Sequence, residues 1–420
     1  MKINKLNRRN FIKDASIGSI AAMGTGMITP ETAEAIDNSE PMKITKIDAV
    51  RFKGGGWVWV RIHTDAGIVG VGETYPDLNA HIGALQDIAP SLIGKDPRDI
   101  DRIWQDVFFR IAGWGWGGSD MRILDALNIA QWDILGKASG LPIYRLLGGK
   151  TRKKVKIENT YVSSSMNING WTLEEDTPKI MRFLLDRGIT GIKIYPYSAV
   201  ARLSGDQYGT YISAAEIESC LDYVKRIRDS VGYEMDIGLD LSSRWNLPCA
   251  LRIAESLEPY RIMWLEDVLL QDNMASYAVL ARETSIPICI SERLTTNYQF
   301  REMLETKAVD IVMYDVCWCG GISEAKRITD MADTYYIPTA PHTWGGPILW
   351  LASIHTATAT KNLFVMESCY RLYTERFPQY INNVPVPVDG YVTAPESPGL
   401  GLEIRPEIFE NGSATIIPIT

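Results

Sequence analysis

Basic charge is in short supply: 43 lysines and arginines face 51 aspartates and glutamates, for a net charge of −8. Nucleic acid and anionic membrane surfaces both need a basic face, so neither suits this chain as a partner. Small anionic substrates stay open, because a metal held in one pocket reverses the field locally. Cysteine is sparse, with six residues spread over the second half. The tightest pair, Cys317-Trp-Cys319, is too close for the usual C-x-x-C metal pair. These cysteines read as buried apolar fillers rather than ligands. Histidine occurs four times in 420 residues. His63 and His81 read as core or surface residues and His355 as a structural residue of a helix, which leaves His342. No low-complexity segment or repeat follows the N-terminal region. What remains, 46% hydrophobic and 22% charged residues, is an ordinary globular composition. The length suits two domains, or a barrel with an added one.

The N-terminus carries its own message. Asn7-Arg8-Arg9-Asn10-Phe11-Ile12-Lys13 resembles the twin-arginine export motif, aromatic and lysine included. A small-residue apolar stretch from Ala15 to Ile28 follows, then an A-x-A cleavage site at Ala33-Glu-Ala35. That stretch is too short to span a membrane. Residues 1–35 are therefore expected to be a signal peptide. The mature chain would begin near Ile36 and work in the periplasm, without a membrane anchor.

The most informative stretch runs from Gly238 to Glu292. Three acids there each follow an apolar run: Asp240, Glu266 and Glu292. An interval of 26 residues separates the first from the second, and again the second from the third. Apolar runs recurring between helical segments at that interval read as successive strands of a βα barrel. Acids at the C-terminal ends of neighbouring barrel strands converge on one point. Three carboxylates sharing a site need a counter-charge, which implies a divalent cation. Oxygen-only ligation favours Mg²⁺. Asp267 adjoins a ligand, but alternation along a strand sends it to the other face.

Around this stretch the chain divides. Residues 43–150 open with strand-like text, including Trp57-Val-Trp-Val-Arg-Ile62, and continue with helical patterns at Ala80–Leu92, Asp99–Phe109 and Met121–Lys137. They make an α+β domain. From residue 151 to 385, strands alternate with helices. Strand ends are expected near Glu158, Lys193, Asp240, Glu266, Glu292, Asp315, Ala340 and Glu367. The helical patterns between them include Ile217–Ser230, Cys249–Leu257, Met274–Glu283, Asn297–Thr306 and Ile322–Tyr335. Eight strands in such a span match the roughly 250 residues of a (β/α)₈ TIM-type barrel. The turn-rich tail, 386–420, is expected to pack back on the first domain.

In order and spacing, several motifs together resemble the enolase superfamily, in its mandelate racemase/muconate lactonizing enzyme family and mandelate racemase subgroup. They are Leu146-Leu-Gly-Gly149, the acid triplet, Gly320-Gly-Ile-Ser323, Pro341-His342, Glu367 and Pro398-Gly-Leu-Gly401. The resemblance covers nearly everything after residue 42. It implies an α/β fold in which an α+β capping domain covers a modified barrel. It also implies removal of a proton α to a carboxylate with Mg²⁺ assistance, and a homo-oligomer. Asp240, Glu266 and Glu292 match the family's metal ligands.

The chemistry asks for more than a metal. A carbon acid beside a carboxylate yields a dianionic enediolate, so fixed charge must meet it as it forms. A lysine or histidine then takes the proton, the arrangement that the resemblance to the superfamily implies. His342 and Asp315 end adjacent strands, so the carboxylate orients the imidazole and raises its pKa. Lys193 lies in Gly191-Ile-Lys-Ile-Tyr195, where two-base relatives carry Lys-x-Lys; here the second position is Tyr195. With an ordinary pKa of ~10, Tyr195 is a poor base at neutral pH and a candidate donor. Asp240 is followed by Leu241-Ser242, without the acid histidine that some dehydratases place there. Glu367 matches the glutamate that donates to the substrate carboxylate, a role that requires burial to keep it protonated. Specificity would come from capping-domain loops: Lys53-Gly-Gly-Gly-Trp57, and Ile111–Gly118 with Trp114 and Trp116.

These readings converge on an Mg²⁺-dependent acid-sugar dehydratase acting on an aldonate or aldarate. A cycloisomerase of a sugar-acid lactone or anhydro-sugar acid needs the same ligands and dyad. A racemase or epimerase is disfavoured by Tyr195. A periplasmic sugar-acid binding protein would be expected to have lost a ligand or the dyad, and none is lost.

Overall fold

The structure, a computed structural model, describes residues 41–113, 117–203 and 209–420. The expected signal peptide, Trp114 and Trp116 lie outside the described residues. The N-terminal domain is a four-stranded antiparallel sheet backed by helices. Its strands are β1 (Ile44–Phe52), β2 (Val58–Thr64) and β3 (Val69–Thr74), in the order β13-β1-β2-β3. The first of these, β13 (Ala414–Pro418), comes from the far end of the chain and pairs with β1.

Both faces of this sheet are covered, which is why its strands read as apolar throughout. Ile47, Ala49, Val58, Val60 and Ile62 face the domain's own helices. Val50, Phe52, Trp57 and Trp59 join the apolar cluster that includes the barrel. Each such fully buried large side chain contributes about 1.5–3 kcal/mol. The helices are α1 (Asn79–Ile88), α2 (Ile100–Ala112) and α3 (Gly118–Ser139). Helix α3 lies so close to β3 that a Cβ on Gly72 would stand 1.8 Å from the Ala126 carbonyl oxygen. No other residue fits there.

The barrel comprises β4 (Val155–Tyr161), β5 (Gly191–Ile194), β6 (Asp236–Asp240), β7 (Trp264–Glu266), β8 (Ile288–Ile290), β9 (Ile311–Asp315), β10 (Thr339–His342) and β11 (Met366–Ser368). All seven ladders between them are parallel, in the order β10-β9-β8-β7-β6-β5-β4-β11. The ring is completed at β10, where Thr339 forms a parallel bridge with Leu363 just before β11. Inside, Trp264, Cys289, Ile311, Met313, Ala340 and Val365 form an apolar plug. Gly238 makes room for it, since a Cβ there would meet the Trp264 indole at 2.9 Å. The short strand β12 (Tyr391–Val392) runs antiparallel to the start of β4.

The helices anticipated within the barrel are found within a few residues of their expected bounds; Ile217–Ser230, for example, is Ala214–Val231, opened by a Ser213/Glu216 capping box. The helix Leu173–Leu185 was not anticipated. It contains Pro178, ordinarily a helix breaker, and Asp176 absorbs the kink with a non-helical backbone. All six cysteines are buried and free, as apolar fillers would be. Among the described residues no helix is long and apolar enough to cross a membrane.

Several bonds lock the two domains together. The indole of Trp104 on α2 donates to the Gly320 carbonyl at 3.1 Å. Asn128 and Trp132 on α3 both donate to the Ser323 hydroxyl. The conspicuous Gly320-Gly-Ile-Ser323 motif is thus a docking surface for α3, with both glycines at positive φ. In the tail, Gly399 and Leu400 bond Leu141, Ile143 and Asp133 near the end of α3.

Candidate active site

The barrel gathers the candidate residues at the C-terminal ends of its strands. Asp315 closes β9, His342 closes β10, and the two are register partners. His342 Nδ1 lies 2.7 Å from Asp315 Oδ2, so Nδ1 carries the proton and Nε2 is left to act. The other oxygen of Asp315 accepts the Cys317 amide at 2.7 Å. His342 Nε2 faces Glu367 Oε2 at 3.6 Å. Burial alone would lower the His342 pKa. The charge of Glu367, the bond to Asp315 and the charge of Glu292 outweigh it and lift the imidazole to about 9.

Lys193, on β5, is wholly buried. Its ammonium sits 2.7 Å from Glu266 Oε1 and 3.0 Å from Glu367 Oε1. Glu367 also accepts the Thr160 hydroxyl at 2.5 Å and the Thr343 amide at 2.6 Å. These neighbours work against the protonated form expected of Glu367. Burial pushes its pKa up, but the positive charges of His342 and Lys193 and the two hydrogen bonds hold it down at about 2. Glu367 thus lies between two cationic groups, Lys193 and the His342 imidazole. The buried carboxyl of Glu158 on β4, the register partner of Glu367, is shifted the other way. Burial raises its pKa far above the usual range despite the opposing charge of Lys193.

Tyr195 follows β5 directly, with its ring 5.7 Å from Lys193 Nζ. Burial, with the charges of Asp240 and Glu367, raises its pKa well above 10 against the pull of Lys193. It therefore remains a phenol, unable to serve as a base.

Asp240 and Glu266 are register partners at the ends of β6 and β7, and Glu292 lies two residues beyond β8. Asp240 Oδ1 accepts the Ser242 amide at 2.5 Å, and Glu266 Oε2 accepts the Trp264 indole at 2.9 Å. Glu292 Oε1 pairs with Arg293 at 3.2 Å, while its Oε2 is buried with no hydrogen-bond partner. Burial raises the pKa of Glu266, and the neighbouring charges of Asp240 and Glu292 add to it, against the pull of Lys193. The donor set suits a hard divalent cation: all ligand atoms are oxygen, the charges repel one another, and one buried oxygen is orphaned. The side chains are not drawn around a common point, for among the described residues no group of three or more His, Cys, Asp or Glu is gathered for ligation. Asp267, expected on the other face, accepts bonds from Ser291 and Arg293, yet its carboxyl lies near enough to Glu292 and Asp240 to feel both charges.

Two capping-domain residues escaped the sequence reading. Glu73, at the end of β3, is buried and accepts the Gly346 amide at 2.6 Å, the Trp59 indole at 3.0 Å and the Ile348 amide at 3.2 Å. Tyr75 hydrogen-bonds to Asp315 Oδ2, and its hydroxyl is 3.1 Å from His342 Nδ1. Apart from the Glu73–Trp59 bond, their contacts span more than 230 positions, and no local periodicity marks them. The remaining histidines are structural. His63 bonds Asp48 in the sheet, His81 is buried in α1, and His355 bonds the Leu400 carbonyl.

A cavity of about 390 Å³ lies between the domains, lined by Trp57, Tyr75, Met166, Trp318, Trp344 and Arg376. Trp57 is buried against Phe377 and Tyr380, so it packs the seam between the domains as well as facing the cavity. A larger cavity of about 630 Å³ lies around Ser243, Trp245 and Asn273 and holds none of the candidate residues. The smaller cavity is not lined by the acids, the dyad or Lys193 either, but it is bordered by Tyr75 and Trp318, which touch the dyad.

A parallel barrel carrying an Asp–His pair, a buried lysine and a crowd of carboxylates at its C-terminal rim, under an α+β cap, defines an acid–base enzyme. The chain belongs to the enolase superfamily. The Enolase C-terminal domain-like family matches residues 179–408, and the Mandelate racemase / muconate lactonizing enzyme, N-terminal domain, matches residues 31–148. Among its relatives, a D-galactonate dehydratase of Variovorax paradoxus is 31% identical over 379 residues, 89% of this chain and 94% of that one. A D-xylonate dehydratase of Haloferax volcanii is 29% identical over 388 residues, 90% of this chain and 92% of that one. A crystal structure of an enolase of the mandelate racemase subgroup from Agrobacterium tumefaciens aligns with TM-score 0.82 at 36% identity, covering 89% and 98% of the two chains.

Proposed function

We propose that the protein is a sugar-acid dehydratase, a hydro-lyase that converts an aldonate or aldarate to a 2-keto-3-deoxy acid. The observation that carries this reading is the single strong base. His342 Nε2 is free of its partner Asp315, while the position that would hold a second base is Tyr195, a phenol whose environment keeps it protonated. Sugar-acid dehydratases stand among the relatives by name.

His342 Nε2 takes the proton from the carbon beside the substrate carboxylate, while Asp315 holds the ring and steadies the imidazolium. Lys193 offers a buried positive charge to the carboxylate oxygens as they gain charge. Asp240, Glu266 and Glu292 would hold Mg²⁺, which when bound supplies Lewis-acid neutralisation of the developing dianion. The β-hydroxyl then leaves as water, taking back the proton from His342, and the resulting enol becomes the ketone. Ser242 has no acid to offer at this step, so His342 serves both halves, with the Tyr195 phenol the other available donor.

The test is a screen of acid sugars for 2-keto-3-deoxy products, with α-deuterium incorporation followed by NMR in D₂O. Ring-opened or isomerised products without a keto-deoxy acid would move the reading to the cycloisomerase. We also propose export through the twin-arginine route to the periplasm, on the strength of Arg8-Arg9 and Ala33-Glu-Ala35. Arg8→Lys with Arg9→Lys should hold the protein in the cytoplasm, and unchanged export would refute this. A homo-oligomer is proposed on family grounds alone, to be read by sedimentation.

A further inference from the structure

We propose that Tyr75 is a positioning residue for the base: the capping domain delivers its hydroxyl to Asp315, and so holds His342 in its working orientation. The inference rests on reading His342 as the base, and it adds a third member to the pair.

The geometry is specific. Asp315 Oδ2 receives both the Tyr75 hydroxyl and His342 Nδ1, and the hydroxyl is itself 3.1 Å from that nitrogen. With Oδ1 taken by the Cys317 amide, the carboxylate is held by β10, by the chain after β9, and by the capping domain. An imidazole can rotate about a single bond to a carboxylate oxygen. A second donor on that same oxygen fixes where the oxygen lies, and hence where Nε2 points.

Tyr75 is itself held on several sides. Its ring stacks on Trp318 with centroids 4.7 Å apart and planes 25° apart, and its carbonyl accepts the Trp318 indole at 3.0 Å. The Arg122 guanidinium lies 3.9 Å from the Trp318 ring centre. Gly345 borders the phenol so closely that a Cβ there would come within 3.0 Å of its ring. Two residues earlier, Glu73 fastens the end of β3 to the amides of Gly346 and Ile348, just past His342. The hydroxyl is therefore in place only when the capping domain is seated on the loop after β10. The charged and titratable groups around it are Asp315, His342, Cys317 and Arg122, with Asp125 behind Arg122. Burial together with the charge of Asp315 keeps the phenol protonated, so it donates.

The consequence is that the base is oriented by the lid. A substrate seated under the capping domain meets an aligned His342, whereas displacement of that domain removes one of the two donors that orient the dyad.

Tyr75→Phe tests this. Removing a hydrogen bond to a charged group should lower kcat by about 10- to 100-fold, with KM within about twofold and the melting temperature little changed. The deciding measurement is the cycle with Asp315→Asn. If Tyr75 acts through Asp315, Tyr75→Phe changes nothing further in that background. Multiplying losses, or an unchanged kcat in the single variant, would overturn the proposal. Should Tyr75→Phe fail to fold, Trp318→Phe, which removes the stacked indole and its bond to the Tyr75 carbonyl, gives the same reading through a kcat loss that vanishes with Asp315→Asn. His342→Asn separates the two levels of inference. If α-deuterium exchange survives in that variant, the choice of base has failed. If exchange is lost but Tyr75→Phe is silent, only the role of Tyr75 has failed.

Discussion

Lys193 Nζ and Glu266 Oε1 meet at 2.7 Å with both side chains wholly buried. A pair this deep is a poor source of net stability, yet removing one partner leaves an uncompensated buried charge at a cost of about 3–5 kcal/mol. Lys193→Met should destabilise the metal-free protein by that order and abolish turnover. Added Mg²⁺ should recover part of the stability and none of the activity, because the cation replaces the charge on Glu266 but not the ammonium facing the substrate. Calorimetry with and without Mg²⁺ checks this, and indifference to the metal would contradict its placement on Glu266.

The pH dependence follows from His342, lifted from its ordinary 6.5 to about 9. A folded-state pKa raised in this way contributes stability that is fully present below about pH 6.5 and lost as pH rises through about 9. Activity runs the other way, since the base must be neutral. The acid limb of kcat/KM should therefore climb toward alkaline pH. A cation offsetting Glu292 should move His342 downward, as should Asp315→Asn, which removes the bond that helps raise it. NMR titration of the imidazole, with and without Mg²⁺, reads both. An upward movement in either case would sink the assignment.

The strand ends that carry the candidate residues were legible in the sequence. The acids at 240, 266 and 292 announce themselves because one βα unit carries each to the same rim, and the strand-end dyad follows from the same periodicity. What could not be read was set by charge and distance. The protonation of Glu367 depends on Lys193 and His342, which a strand count does not bring to 3.0 and 3.6 Å. Tyr75 and Asp315 are 240 positions apart, in different domains, and their contact is a product of docking. Nor does Glu158 look different in sequence from any other strand glutamate; only the surrounding burial raises its pKa.

Glu73 shows how the docking is secured. Its carboxylate accepts from the amides of Gly346 and Ile348 and from the Trp59 indole, although burial raises its pKa to about 7. Replacing it with glutamine turns one acceptor into a donor facing N–H groups, at a cost of about 1–3 kcal/mol. Glu73→Gln should therefore lower stability and also reduce kcat, because Tyr75 follows it by two residues. Chemical denaturation combined with steady-state kinetics checks the pair of effects. A stability loss with kcat intact would show that the seam and the dyad are independent.

Arg376 offers the clearest separation of binding from chemistry. It lines the cavity between the domains, lies 4.8 Å from the centre of the Trp57 ring and donates to the Gly54 carbonyl at 2.9 Å. It thereby ties the glycine-rich loop to the segment after β11, away from the dyad. A contact made equally with the substrate and the transition state lowers KM without changing kcat. Arg376→Ala should accordingly raise KM for an acid sugar by roughly tenfold, the value of about 1.4 kcal/mol of lost binding, while kcat stays within about twofold. The effect should be larger for a diacid than for a monoacid of the same length, since only the diacid presents a second carboxylate to the guanidinium. Equal effects on both would place Arg376 in loop packing instead, and a fall in kcat alone would tie it to the closing of the capping domain.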